Sequence, residues 1–166
     1  MPTPEFLVRI RERAGTELMM LPSVGGCVFD EHGRLLLALH TDIWAMPGGI
    51  LEPDERPAEA VVRELREETG LEVAVRGLIG VSGGPNFRHT YANGDRVAYM
   101  TAFYGCEIVG GSLRPDGEEI ADAVFFAPDE LPGLRLAPWM PEVAPLAYAW
   151  WETAAYRSGA TVGENV

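Results

Sequence analysis

Residues 49–71, GILEPDERPAEAVVRELREETGL, constrain this chain more than any other stretch. Pro57 fits the first turn of a helix, where the N–H it lacks would have no partner anyway. Arg56 is a poor residue for the adjoining N-cap, where a serine or threonine oxygen would hold the first amides. Gly70 stands where a helix ends in a left-handed residue. Between these marks Ala58, Val61, Val62 and Leu65 fall on one side of a 3.6-residue repeat, and Glu64, Glu67 and Glu68 on another. The spacing predicts an amphipathic helix over 57–69 that buries its aliphatic side and presents carboxylates from the other. Like charges three and four residues apart repel by a few tenths of a kcal/mol per pair. A bound divalent cation is the natural counterweight.

Hard oxygen ligands at this density suit Mg²⁺, with Mn²⁺ as a substitute. Pro47, Gly48 and Gly49 form a loop in which backbone without a Cβ comes close to a metal, and a carbonyl there is a further oxygen ligand. Arg63 can hold Glu55 or a neighbouring carboxylate through a two-pronged hydrogen bond and so fix its orientation. Three glutamates on a helix would by themselves describe a solvated surface. What makes the stretch specific is the joint spacing of Gly49, Glu55, Arg63, Glu64, Glu67, Glu68 and Gly70, with aliphatic Leu65 and Leu71 between them.

The rest of the chain reads as strands with two further helices. Residues 4–14 carry an apolar stripe of Phe6, Leu7 and Ile10 and stop at Gly15. Apolar runs at 23–29 and 34–39, separated by Asp30-Glu31-His32-Gly33, predict a β-hairpin. A strand follows at 72–81. Asn93-Gly94 between 86–92 and 95–108 predicts a second hairpin, on the expectation that both turn residues take positive φ. A short strand at 123–127, a helical turn at 129–132 and a helix at 141–156 complete the order. Trp150 and Trp151 in that last helix read as packing groups.

At 166 residues the chain is expected to form one domain, residues 1–166, with a core over 22–132 flanked by the two terminal helices. Its net charge is −12, and all 13 basic residues are arginine. Such acidity argues against a nucleic-acid partner, because cations are needed to displace phosphate counterions. Cys27 and Cys106 lie in apolar runs without metal-ligand spacing and read as buried free thiols. No apolar run reaches the 18 residues of a membrane span, and the N-terminal residues lack the apolar centre of a leader, so a cytoplasmic protein is expected. Apolar surface on the terminal helices leads to the expectation of a homodimer.

Residues 49–71 match in full the box of the Nudix (MutT-like) hydrolases: glycine, five residues, glutamate, seven residues, then Arg-Glu-aliphatic-any-Glu-Glu-any-Gly-aliphatic. Trp44, Ala45, Met46, Pro47 and Gly48 before it also resemble that family, as do Glu118, Glu119, Ile120, Phe125 and Phe126 after it, and Asp129-Glu130-Leu131-Pro132. The resemblance implies an α/β/α sandwich with a central mixed β-sheet. It implies Mg²⁺-dependent hydrolysis of a nucleoside diphosphate linked to another moiety, by attack of water on phosphorus. Carried over to this sequence, it makes Glu64 and Glu68 the main metal ligands, with Glu67 assisting and the Gly48 carbonyl as a further ligand. A glutamate outside the box, Glu119 before Glu118, would sit on metal or act as general base.

Trp44, Phe87, Arg88 and Tyr91 are the candidate substrate contacts: aromatics to stack on a base and a cation to meet a phosphate. His89, beside them, reads as an ordinary histidine. The marks that the family associates with coenzyme A or NADH cleavage are absent, and Pro85 lies near but not at the position associated with ADP-ribose. Isopentenyl diphosphate isomerase carries a similar box but needs a catalytic cysteine, which apolar Cys27 and Cys106 do not suggest. A non-catalytic sensor of nucleotide sugars is the other reading. Such proteins usually add a DNA-binding domain or lose box residues, and this chain keeps every glutamate.

Overall fold

Leu35, Leu36, Leu37 and Ala38 are all fully buried, within strand β2 (Leu35–His40). Successive strand residues point to opposite faces, so this run needs cover on both sides. Leu35 and Leu37 pack with Cys27, Phe103, Met140 and Val143, whereas Leu36 and Ala38 pack with Val24, Val61, Leu65 and Val73. The structure, a computed structural model describing residues 4–153, is accordingly layered. Helix α2 (Pro57–Thr69) covers one side of the strands and helix α3 (Met140–Trp151) the other. This is the expected α/β/α sandwich.

The larger sheet is mixed. Strand β1 (Met19–Val28) lies beside β6 (Arg96–Gly111), which pairs on its far side with β4 (Leu71–Ser82) and near its start with β5 (Arg88–Thr90). Strands β1 and β6 run parallel, and the other pairs are antiparallel. A smaller antiparallel sheet has the order β3 (Ile43–Ala45), β2, β7 (Asp122–Phe126). Helix α1 (Glu5–Ala14) docks Leu7 against Leu21 and Val97 at the open end of the larger sheet. Ile10, expected in its apolar stripe, is 44% exposed.

The first hairpin needs correction. Its turn forms as read: the Asp30 carboxylate accepts from the His32 and Arg34 amides at 3.0 and 2.9 Å. Its arms, however, part into different sheets and share only the bridge between Phe29 and Leu35. Local turn chemistry reverses the chain, but the partner of β1 is β6, with paired residues 78 positions apart, which no turn signal announces. The second hairpin forms with a shorter first arm, because residues 85–87 make a 3₁₀ turn. Gly94 has φ 91°, whereas Thr41 is the one non-glycine with positive φ among the described residues. The turn is therefore not of the type with two left-handed residues. The helical turn expected at 129–132 is a 3₁₀ turn at Leu131–Gly133.

Of the helix expected at 141–156, residues 154–156 lie outside the described residues; the described part is Met140–Trp151. Trp151 stacks on Phe29 with ring centroids 5.0 Å apart, and Trp150 and Trp151 both pack against the core, as expected. Both thiols are buried and free, Cys27 in the cluster under α3 and Cys106 in the one under α2.

Candidate active site

The helix of the box spans Pro57–Thr69, as the spacing predicts, and Gly70 closes it at φ 72°. Arg56 has no capping oxygen, but Glu59, three residues on, accepts from the Arg56 amide at 3.0 Å. That glutamate was the signal for the helix start. Ala60, Val61 and Leu65 form its buried apolar side. Glu64 and Glu68 are also buried, at 1% and 3% exposure, so the carboxylate side is not an open face. Their cover is the loop of Pro47, Gly48 and Gly49.

That loop is laced to β1. Gly26 donates to the Pro47 carbonyl at 2.8 Å, Val24 donates to the Gly49 carbonyl at 2.9 Å, and Ile50 bridges Ser23. The approach is so close that only glycine fits. A Cβ on Gly48 would stand 2.2 Å from the Val24 carbonyl oxygen, and one on Gly49 would stand 2.4 Å from Glu64 Oε1. The Gly48 N–H donates to Glu68 Oε2 at 3.0 Å.

Arg63 holds the other end. Its guanidinium grips both oxygens of Glu55 at 2.8 and 2.9 Å, and also donates to Glu64 Oε1 at 3.0 Å, Glu67 Oε2 at 3.2 Å and the Ile50 carbonyl at 3.3 Å. The hydrogen bond to Glu55 raises the Arg63 pKa, and its reciprocal lowers that of Glu55. Glu67 thus turns toward Arg63, and its side chain is 46% exposed. The three glutamates do not form one cluster: Glu64 and Glu68 lie beneath the glycine loop, and Glu67 sits at its rim.

Burial acts strongly on the inner pair. It pushes the Glu64 pKa up to about 7, against the opposing pull of Arg63. It pushes Glu68 up to about 8, against the Gly48 hydrogen bond and with help from the charges of Glu64 and Asp116. Glu64 Oε2 is buried with no hydrogen-bond partner. An orphaned carboxylate oxygen is costly in a folded protein and calls for a cation or a donor.

The described residues contain no convergent group of three or more histidine, cysteine, aspartate or glutamate side chains. Mg²⁺ does not require such a group: it is commonly held by one or two carboxylates and completes its shell with water and substrate phosphates. The residues present, Glu64 with its bare oxygen and Glu68 beside it, fit such an ion.

A second loop reaches the same helix end. The last carbonyls of α2 are met by amides of residues 112–116: Ser112 donates to Gly70 at 3.3 Å, Arg114 to Thr69 at 2.8 Å and Asp116 to Glu68 at 3.1 Å. Glu118 and Glu119 follow directly on this docked segment. The sequence reading missed Asp116, although Pro115-Asp116-Gly117 is a turn signature.

The other candidate contacts divide. Trp44 is half-buried in β3, edge-on to Phe126 at 5.0 Å. Phe87 is 4% exposed and stacks on Trp139 at 5.8 Å, so its ring belongs to the core and not to an open binding face. Arg88 and Tyr91 are exposed; the Tyr91 hydroxyl meets that of Tyr99 at 2.6 Å, and its ring meets His89 edge-on. Arg88 pairs opposite Ala98, far along β6 from Ala102, which lies opposite Val24 beneath the glycine loop. No described helix is long and apolar enough to cross a membrane.

A family model described as the NUDIX domain matches residues 19–147. The chain is 39% identical over 111 residues to a "MutT-like protein" of Streptomyces ambofaciens, covering 66% of this chain and 65% of that one. It is 36% identical over 107 residues to a "Putative 8-oxo-dGTP diphosphatase" of Bacillus subtilis (strain 168), covering 63% of this chain and 65% of that one. The chain thus spans just under two thirds of the length of these relatives. Among solved structures it resembles a UDP-X diphosphatase, with a TM-score of 0.65 and 26% identity, covering 94% of this chain and 72% of that one.

Proposed function

The chain belongs to the NUDIX domain family, and from that premise we propose that it is a Mg²⁺-dependent hydrolase. Its substrate is a nucleoside diphosphate joined to another group, and the bond split is the pyrophosphate linkage. The observation that carries this reading is the bare, buried Oε2 of Glu64 beside buried Glu68. Burial disfavours the charge of both carboxylates, a mark of functional sites, and a cation held there would restore their ionised form. The names of two similar proteins, a "Putative 8-oxo-dGTP diphosphatase" and a UDP-X diphosphatase, support diphosphate cleavage.

Glu64 and Glu68 would hold the ion, with Glu67 at the rim and the Gly48 carbonyl as a further ligand. Bound there, Mg²⁺ or Mn²⁺ neutralises charge on the phosphoryl oxygens and makes water a better acid. Everything else falls to the chain. Arg63 locks Glu64 through Oε1, leaving Oε2 to face inward. The Gly48 amide locks Glu68. Both carboxylates are thereby oriented before substrate arrives, which removes reorganisation from the reaction. The glycine loop and α2 bury the pair. Glu119 accepts the proton of the attacking water, and Glu118 is the neighbour next in line for that role. Trp44, Tyr91 and Arg88 are the residues offered to the nucleoside and its phosphates.

The test is Glu68→Gln, which keeps shape and removes the charge. Turnover of 8-oxo-dGTP, ADP-ribose and a UDP-sugar is followed as phosphate released after added phosphatase, at saturating Mg²⁺. A loss of kcat on the order of 10²-fold or more is expected. Near-wild-type kcat in the variant would refute the assignment.

A further inference from the structure

We propose that Ser23, Thr101 and Ser82 form a row of hydroxyls across the larger sheet that receives the edge of a nucleobase carrying carbonyl groups. The inference rests on the reading of the chain as a hydrolase of nucleoside diphosphate derivatives, and it names the part of the substrate that the fold selects. Register makes the row. Thr101 of β6 lies opposite Ser23 of β1 on one side and Ser82 of β4 on the other. Residues directly opposite one another in a sheet point to the same face. Ile50 continues the row past the outer edge of β1, where it bridges Ser23. Gly49, the residue before it, lies against the Glu64 carboxylate. Neighbouring strands are about 4.8 Å apart, so the hydroxyls lead away from the glycine loop in steps of roughly 5 Å.

The row cuts through apolar surroundings. Leu21 and Tyr99 flank it on one side, and Phe103, packed with Phe87 and Trp139, on the other. A hydroxyl buried there costs stability unless its hydrogen bonds are made. The Ser23 and Thr101 hydroxyls meet at 2.7 Å, and both residues are more than nine-tenths buried, at 7% and 8% exposure. Two hydroxyls carry two hydrogens, and one contact uses one of them. The other hydrogen has no acceptor among the described residues, and neither has that of Ser82, which is half-buried at the open end of the row. Two O–H groups on adjacent strands are thus left for a ligand that brings acceptors. Guanine-type and uracil-type edges present carbonyl oxygens, whereas adenine sets an amino donor beside its ring acceptor.

Binding is measured in EDTA, where it depends on neither metal nor turnover, by titrating UMP, 8-oxo-dGMP and AMP into the whole chain and following its amide resonances. The better of UMP and 8-oxo-dGMP should shift the amides of Ser23, Ser82 and Thr101 and bind about tenfold more tightly than AMP, the size of one or two net hydrogen bonds. Ser23→Ala/Thr101→Val replaces both partners of the inner pair with apolar groups of similar shape and should leave stability nearly unchanged. Ser82→Ala removes the outer hydroxyl. Each variant should weaken the preferred nucleotide by about fivefold to tenfold and AMP by less than about twofold. With the matching diphosphate substrate KM should rise by the same factor, while kcat stays within about threefold. Equal affinity for AMP, equal losses for all three nucleotides, or no shift at these amides overturns the row. A double variant that loses stability and keeps its selectivity makes the pair a strut between β1 and β6, and overturns it too. Wild-type turnover in Glu68→Gln, with the binding losses as expected, instead overturns the metal assignment and leaves the row standing.

Discussion

Replacing Glu64 with glutamine asks whether folding really holds this carboxylate against its own charge. Burial raises its pKa from the ordinary 4.5 to about 7. At 1.36 kcal/mol per pH unit that rise corresponds to about 3 kcal/mol. The folded, metal-free protein binds this proton more tightly than the unfolded chain does. The contribution is therefore intact below pH 4.5, declines as pH rises from there to about 7, and is fully lost above. Glutamine is neutral throughout and of the same shape, so it removes the decline. Urea unfolding of both proteins in EDTA, at pH 4.5 and at pH 8, gives a double difference in which groups that titrate alike cancel. Glu68 does not cancel, because the charge of Glu64 helps to raise its pKa; removing that charge adds to the effect with the same sign. The variant should gain about 3 kcal/mol on wild type between the two pH values, or roughly 6–12 °C in Tm. Saturating Mg²⁺ at pH 8 should lift wild type and leave the variant nearly unmoved, because the ion takes over from the proton. Parallel stability profiles for the two proteins would refute the reasoning.

Arg63→Ala strands Glu55 and Glu64 in a mostly buried setting and should cost about 3 kcal/mol by urea unfolding. Arg63→Lys should recover less than half, since an ammonium cannot span both oxygens of Glu55. Gly48→Ala puts a methyl group 2.2 Å from the Val24 carbonyl at φ 149°, and a loss of about 2 kcal/mol or more is expected in the same assay. Cys27 and Cys106, whose thiol pKa values burial raises, should resist a thiol-specific reagent in native buffer and react together once denaturant is added.

The helix of the box was legible to the residue because three independent signals agree on it: Pro57, the 3.6-residue repeat and Gly70. The strands β4 and β7 were legible for the same kind of reason, as local runs with local punctuation. What the sequence could not supply was pairing over distance. Nothing near Ser23 or Phe29 says that β1 lies parallel to β6, so a good turn at Asp30 was extended into a hairpin. The site shows the same division. Spacing identifies Glu64, Glu67 and Glu68 but makes them equivalent. Only the glycine loop, brought over by its bonds to Val24 and Gly26, separates the buried pair from the one at the rim. Phe87 misled because an aromatic beside an arginine has the same pattern in a core as in a binding face.

Strand β2 belongs to two hydrophobic clusters at once, since its odd and even residues serve opposite layers. Neither helix can leave without exposing leucines of a strand whose alternate residues are held by the opposite layer. Thermal denaturation should then be all-or-none, with calorimetric and van't Hoff enthalpies equal. Partial melting of one half is closed to a molecule whose halves have a backbone in common.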